Sequence, residues 1–169
     1  TELPNDGVVQ LPDEYTAEML DVARKLVANP LPTEVLQTSD FAMPATYAAM
    51  SRLGETLTQG YGFVVVDRIP VEQMSAHAAT QLCWLLMSAL GRPVAQKWDG
   101  TMVYDVTDTG RVPAPGNGIR SSKSNRGQRY HTDNAFNTPP QYVALFCLKP
   151  AMEGGVSGLV SMDCVYNKL

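Results

Sequence analysis

Residues 129–137, RYHTDNAFN, contain a histidine and an aspartate two positions apart, His131 and Asp133. Only one other histidine, His77, occurs in the chain. An imidazole nitrogen and a carboxylate oxygen are both ligands for divalent transition metals, so this tripeptide is the first candidate for a chemical site. The alternative is a structural histidine that forms a hydrogen bond with Asp133 or with nearby backbone.

The spacing matters because side chains two apart on a strand point to the same face. On a strand, His131 and Asp133 present their ligand atoms side by side, and Thr132 points the other way. A neutral imidazole and a carboxylate are two of the three ligands of the 2-His-1-carboxylate facial triad, which leaves coordination positions open on Fe(II). The tripeptide therefore predicts an iron site if residues 129–136 form a strand.

The composition is that of one ordinary globular domain, with 44% hydrophobic and 18% charged residues in a chain of 169. A net charge of -4 argues against nucleic acid, because such binding requires basic residues that neutralise phosphates. We predict no membrane span and no signal peptide, and therefore a cytoplasmic protein. The three cysteines form no C-x-x-C pair and are predicted to be buried, reduced thiols: Cys83, Cys147 and Cys164.

Apolar residues at helical spacing predict three helices in the first half of the chain. They cover residues 16–28, 44–60 and about 71–90. The inward residues of the first helix are Met19, Ala23, Leu26 and Val27. The run GFVVVD at 62–67 has the pattern of a buried strand. His77 lies outside the apolar stripe of the third helix and is predicted to be a surface residue.

After Gly91 the pattern changes to short segments of strand type. These segments are 93–98, 101–106, 129–136, 142–148 and 156–161. We therefore predict an α+β fold in a single domain, 1–169, with a mainly helical part (1–92), a β core (93–161) and a last helix capped by Ser161. Trp98 and Tyr104 are predicted to be core aromatics.

Residues 107–128 are rich in Gly, Pro, Ser and Asn and predict a long loop. From Arg111 to Arg129 the chain carries five basic residues and no acidic one: Arg111, Arg120, Lys123, Arg126 and Arg129. The segment is interpreted either as a solvated loop or as a lid that attracts an anionic substrate.

The segment HTDNAFNTPPQYVALFCLKPAMEGGVSGLVS, residues 131–161, resembles the core of the taurine dioxygenase-like family of Fe(II)/2-oxoglutarate oxygenases, which is related to clavaminate synthase. The likeness extends from about Met43 to the end. It implies a double-stranded β-helix, or jelly roll, that uses Fe(II), 2-oxoglutarate and O2. It also implies oxidation of a C–H bond in a small molecule while 2-oxoglutarate is decarboxylated to succinate and CO2.

By position, the resemblance makes His131 and Asp133 the first two iron ligands. Ser157 falls where the family has a hydroxyl that binds a carboxylate of 2-oxoglutarate; without the resemblance, a hydroxyl bonded to nearby backbone is an equal interpretation. Gln128 and Arg129, at the loop exit, are candidates for substrate contact, with surface solvation as the alternative. Halogenating relatives replace the carboxylate at the Asp133 position, so its presence favours hydroxylation or a related oxidation.

The family pattern also includes a second iron-binding histidine and an arginine that pairs with 2-oxoglutarate, both after the Gly-Gly segment. No histidine follows His131 in this sequence. A jelly roll needs about eight strands, and the five or six predicted here would leave it open, with exposed edges. We therefore expect a segment or a second polypeptide outside this sequence to complete the fold and the site, and expect this chain alone to bind Fe(II) and 2-oxoglutarate weakly.

Two other functions remain open at this point. The chain is then either a non-catalytic jelly-roll binding or assembly module, or a metal-dependent cupin of another reaction type, such as an isomerase. Activity with zinc and indifference to 2-oxoglutarate would favour the cupin.

Overall fold

The computed structural model describes residues 7–60, 62–119, 121–133 and 139–169. Its helices are α1 Asp13–Ala28, α2 Pro44–Gln59, α3 Ala76–Leu90 and the short α4 Met162–Tyr166. Two short strands, β1 Val8–Gln10 and β2 Val65–Asp67, pair in parallel with Val8 beside Val65. The described chain is therefore α+β, as predicted, and the predicted last helix is confirmed as α4.

Backbone contacts divide the chain into two compact units. One contains the residues up to Pro93 together with Tyr142–Leu169, and the other is Val94–Gln141. The first unit holds all four helices and both strands. The prediction of a single domain with boundaries near residues 92 and 161 stays a prediction.

Local signals place the helix ends. α2 has Pro44 in its first turn, where a missing N–H is tolerated. α3 begins later than the predicted residue 71, because residues 71–73 form a separate 3₁₀ turn. The Ser75 hydroxyl then accepts a hydrogen bond from the Ala78 N–H at 3.1 Å, and Ser75 is thus the N-cap of α3.

The core lies where α1, α2 and α3 pack on one another. Its buried apolar side chains include Tyr15, Met19, Val22, Leu26, Leu36, Met43, Met50, Leu53, Leu82, Trp84, Leu85 and Leu86. Val27 was predicted to be inward, but it is exposed on α1. The strand predicted within 62–67 is present only as β2, Val65–Asp67, and Val65 is exposed, so this strand is not buried as predicted.

Two buried polar side chains of α3 hold the connection between α1 and α2. The Gln81 amide donates a hydrogen bond to the Leu31 carbonyl at 2.7 Å, and the Trp84 indole N–H donates to the Leu36 carbonyl at 3.1 Å. Buried donors require such partners because an unpaired polar group in an apolar core is costly. The connection is irregular apart from two 3₁₀ turns, Thr33–Val35 and Thr38–Asp40, and these contacts fix its course across α3.

Glu18 of α1 caps the N-terminus of α2. Its carboxylate accepts hydrogen bonds from the Thr46 hydroxyl at 2.7 Å, the Thr46 N–H at 2.8 Å and the Ala45 N–H at 3.1 Å. Partial burial of the carboxylate acts to raise its pKa, but the hydrogen bonds from Thr46 and Ala45 outweigh it and lower the pKa of Glu18. Glu18 thus satisfies free N–H groups at the positive end of the helix dipole.

Glu18→Ala is expected to lower the free energy of unfolding by about 1–2 kcal/mol, because it removes a helix cap made of charge-assisted hydrogen bonds. Since the folded-state pKa of Glu18 lies below its ordinary value of 4.5, this stabilisation is complete above that pH and is lost as the pH falls through the folded-state pKa. Urea denaturation at pH 7 and at pH 3 measures both effects. A mutational loss as large at pH 3 as at pH 7 would contradict the assignment.

The predicted β core at 93–161 does not form paired strands in the described part of that range, where the backbone is irregular apart from a 3₁₀ turn at Ser121–Lys123. The predicted strands at 93–98, 101–106, 142–148 and 156–161 thus have no paired partner among the described residues, and the β core stays a prediction. A strand exists only with a neighbour that pairs its backbone N–H and C=O groups, and apolar patterning supplies no such neighbour.

The cysteines differ in burial. Cys83 on α3 is largely buried, and burial raises the pKa of its thiol to about 11, which keeps it unreactive. Cys147 and Cys164 were predicted to be buried but are exposed; all three are free thiols. Among the helices that the structure describes, none combines the length and the apolar character needed to cross a membrane.

Candidate metal centre

His131 and Asp133 contact each other. The His131 Nε2 lies 3.5 Å from the Asp133 Oδ1, and the two side chains are 49% and 55% exposed. Two ligands about 2.1 Å from one metal ion at a right angle lie about 3 Å apart, so this separation is close to that of neighbouring coordination positions. The side-by-side placement is the one that the H-x-D spacing favours.

The other ring nitrogen of His131 has a backbone partner. Nδ1 lies 2.8 Å from the carbonyl oxygen of Arg129. A carbonyl oxygen only accepts, so this contact is a hydrogen bond when Nδ1 carries the proton, the tautomer in which Nε2 presents its lone pair. Metal-binding histidines are commonly oriented in this way, by a hydrogen bond from the nitrogen that does not bind the metal.

This orientation has an electrostatic consequence. In the tautomer with the proton on Nδ1, Nε2 and the Asp133 Oδ1 are both acceptors 3.5 Å apart, and a metal ion bound between them would be a partner for both. A divalent metal ion satisfies both groups. The donor set of one imidazole and one carboxylate fits an iron site better than a structural zinc site, which has four protein ligands.

In the described part of the chain, no third protein ligand accompanies this pair. Residues 7–60, 62–119, 121–133 and 139–169 contain no group of three His, Cys, Asp or Glu side chains able to hold a metal. His77, the other histidine, is an exposed residue of α3, as predicted. Among the described residues, the candidate ligands brought together are thus His131 and Asp133 alone, and their role as metal ligands stays a prediction.

The remaining predicted site residues are Ser157, Gln128 and Arg129. Ser157 is exposed and belongs to the compact unit that contains the helices, so its role stays a prediction. Gln128 and Arg129 are exposed and lie three and two residues before His131. The carbonyl of Arg129 orients His131, a backbone role that residue types alone do not reveal, although an acceptor two residues before a histidine is within reach of its Nδ1.

The loop before the site is held by internal hydrogen bonds. The Lys123 ammonium donates to the Asp105 carbonyl at 2.6 Å, and the Thr109 hydroxyl donates to the Lys123 carbonyl at 2.8 Å. Near the tip, the Asn117 side chain accepts from the Ile119 N–H at 3.1 Å and donates to the Val112 carbonyl at 2.9 Å. Lys123 thus binds the loop itself, and Arg111 and Arg126 are exposed. Arg120 lies outside the described residues, as do Asn134 and Phe136.

Trp98 and Tyr104 were predicted to be core aromatics, and both are exposed. Trp98 is 99% exposed, in a turn closed by a hydrogen bond from the Gln96 N–H to the Thr101 carbonyl at 2.7 Å. The Tyr104 ring lies 5.1 Å from the Lys97 ammonium, a cation–π contact. Aromatic residues indicate burial only when other elements cover them, and in Val94–Gln141 the described segments do not form a sheet that could do so.

An α+β chain with an imidazole and a carboxylate side by side has the features of a mononuclear non-haem metal protein. The chain belongs to the taurine catabolism dioxygenase TauD, TfdA family, whose model matches residues 28–169. The resemblance drawn from the sequence is thereby confirmed, and the match begins earlier than the predicted Met43, at the end of α1. A comparison with curated proteins found no match.

Membership of this family has direct consequences. Members are 2-oxoglutarate-dependent dioxygenases that generally use Fe(II), 2-oxoglutarate and O2 and act on small molecules. The family implies a jelly-roll fold, and the two described strands are compatible with an incomplete sheet.

Proposed function

We propose that this chain is the N-terminal part of an Fe(II)/2-oxoglutarate-dependent oxygenase that hydroxylates or otherwise oxidises a C–H bond of a small molecule. The observation that supports this most is the geometry at His131. Its Nδ1 is bonded to the Arg129 carbonyl, and its Nε2 faces the Asp133 carboxylate at 3.5 Å. This arrangement places two candidate ligand atoms side by side, where one metal ion could bind both.

His131 and Asp133 would hold Fe(II) at neighbouring coordination positions. When bound, Fe(II) with 2-oxoglutarate and O2 supplies oxidation of the substrate, coupled to decarboxylation of 2-oxoglutarate to succinate and CO2. The hydrogen bond from Nδ1 keeps the imidazole in the tautomer that can bind the metal. The Ser157 hydroxyl would donate a hydrogen bond to a carboxylate of 2-oxoglutarate, which orients the co-substrate.

The second histidine ligand and the arginine for 2-oxoglutarate would come from a further segment or a second polypeptide. Two observations support this. The described residues contain no third ligand beside His131 and Asp133. The apolar segments of 94–161 find no strand partners in the described chain. One added group of strands would supply both the missing ligands and the missing strand partners.

The substrate would be a small molecule with an anionic group. Arg111 and Arg126 are exposed in the loop that precedes the metal ligands, in a chain whose net charge is -4. Gln128 and Arg129, next to the ligands in sequence, would contact the substrate. A local excess of positive charge concentrates anions even when the protein as a whole is acidic.

An anaerobic titration with Fe(II) and 2-oxoglutarate tests the proposal. In the assembly that includes the second histidine, we expect the weak visible charge-transfer absorption of the chelated complex when both are present, and its loss in Asp133→Ala. The 169-residue chain by itself is expected to need a much higher Fe(II) concentration. The same titration of His77→Ala, which removes the exposed histidine of α3, should match the unmodified protein.

Two outcomes would contradict the proposal. Absence of the absorption in every assembly would favour a non-catalytic jelly-roll module. Activity with zinc that is indifferent to 2-oxoglutarate would favour a metal-dependent cupin of another reaction type.

A further inference from the structure

The loop that precedes the candidate ligand pair is closed at its base. The Lys123 carbonyl accepts hydrogen bonds from the Thr109 N–H at 3.1 Å and from the Thr109 hydroxyl at 2.8 Å. A further backbone hydrogen bond, from the Thr107 N–H to the Ser122 carbonyl, is 3.1 Å long. The Lys123 ammonium donates to the Asp105 carbonyl at 2.6 Å. These contacts form the neck of the loop, and loops whose ends meet in this way are frequently functional.

The far end of the same loop is also bonded within itself. The Asn117 N–H donates to the Ala114 carbonyl at 3.2 Å, which closes a turn. Gly116, with a φ of 81°, takes the turn position that favours glycine. The Asn117 side chain then bonds the Val112 carbonyl and the Ile119 N–H. The loop therefore has two fixed points, the neck and this turn.

Two exposed arginines, Arg111 and Arg126, flank the neck. Arg111 follows Thr109 by two residues, and Arg126 follows Lys123 by three. Since a chain extends by at most about 3.5 Å per residue, the neck keeps their α-carbons within roughly 25 Å of each other, whereas fifteen extended residues would span about 50 Å. The neck thus brings together two cations that are distant in the sequence.

Both guanidinium groups are available to a ligand. Within the described part of the chain, no carboxylate lies within ion-pair distance of Arg111 or Arg126. Asp108 is the carboxylate closest to Arg111 in the sequence, and it accepts a hydrogen bond from the Gly110 N–H at 2.8 Å. That bond closes the turn that leads from the neck into Arg111.

We propose that Arg111 and Arg126 together bind the anionic group of the substrate, and that Thr109 and Lys123 are positioning residues that hold this pair through the neck. The assignment of the anion to a substrate rests on the proposed function. A guanidinium binds an oxyanion through two parallel hydrogen bonds, so a carboxylate, sulfonate or phosphate group fits. Lys123 acts through the neck, because its ammonium is bonded to the Asp105 carbonyl.

Inorganic sulfate is a probe for this pair that requires neither iron nor 2-oxoglutarate, so this test and the iron titration can fail independently. We expect sulfate to shift the arginine Nε–H NMR signals of the 169-residue chain saturably, and chloride at the same ionic strength to have no such effect. Arg111→Met and Arg126→Met should each weaken sulfate binding about 10-fold or more, because each removes charge-assisted hydrogen bonds. Arg92→Met, at an exposed arginine of the other compact unit, makes the same change in net charge and should leave sulfate binding unchanged.

Thr109→Val tests the neck without a change in charge. It removes the hydroxyl that donates to the Lys123 carbonyl, and it should weaken sulfate binding about fivefold. Thr109→Ser retains the hydroxyl and should restore binding. Thr101→Val is the matched control, since it removes a hydroxyl bond of 2.6 Å to Asp99 in another turn of the same unit, and it should bind sulfate like the unmodified chain.

Three results would overturn the proposal. The first is an absence of saturable sulfate binding. The second is an equal loss in Arg92→Met and Arg111→Met, which would indicate attraction by net charge alone. The third is a Thr109→Val variant that binds sulfate like the unmodified chain although trypsin cleaves it faster after Arg111, since faster cleavage shows that the neck has opened.

Discussion

His131→Ala is expected to lower substrate-dependent succinate formation by roughly 100-fold or more in the enzyme assembled with its second histidine. Loss of a group that merely orients a metal ligand costs about 10–100-fold, and loss of the ligand itself should cost at least as much. The remaining carboxylate of Asp133 would be the only ligand that the described residues contribute. Succinate released per unit time, with and without substrate, measures the effect.

His77→Ala is the matched control for this experiment, since it removes the only other histidine, an exposed residue of α3. We expect its succinate formation and thermal stability to equal those of the unmodified protein. If His131→Ala retained full succinate formation while folded, the assignment of His131 as an iron ligand would be wrong. Exposed as it is, His131 can be replaced with little effect on folding, so lost activity and lost structure are separable.

Leu85→Ala is expected to lower the free energy of unfolding by about 2–5 kcal/mol, because it leaves a cavity in a packed core. Leu85 is fully buried on α3, the helix that packs on both α1 and α2. A loss of this size is a large fraction of the stability of a typical domain, which is about 5–15 kcal/mol. Chemical denaturation followed by helical circular dichroism measures it.

Val27→Ala provides the comparison, since Val27 is exposed on α1. Its effect should stay within about 0.5 kcal/mol, as for most surface substitutions. Equal losses for the two variants would mean that Leu85 does not lie in the core. The same comparison checks the position of Val27. Helical spacing predicted that its side chain points inward, whereas the structure has it exposed.

The helices and the contact between His131 and Asp133 were predictable from the sequence because the interactions behind them are local. The spacing of apolar residues, Pro44 and the Ser75 cap act within a few residues of the helices that they define. The contact between His131 and Asp133 likewise depends on two residues that are only two positions apart. The family was recognisable because its motif is a continuous stretch of chain, and the family match confirms it.

Contacts between distant parts of the chain decided the rest. β1 pairs with a strand more than fifty residues away, and Glu18 caps a helix that begins with Pro44. Trp98 and Cys147 have the residue types of a core, yet they are exposed because burial depends on what covers a side chain. The run 142–148 has the composition of a strand but no partner in the described chain. Residue type and spacing thus determined the helices and the contact between His131 and Asp133. Tertiary structure decided strand pairing and burial, since both depend on a second surface.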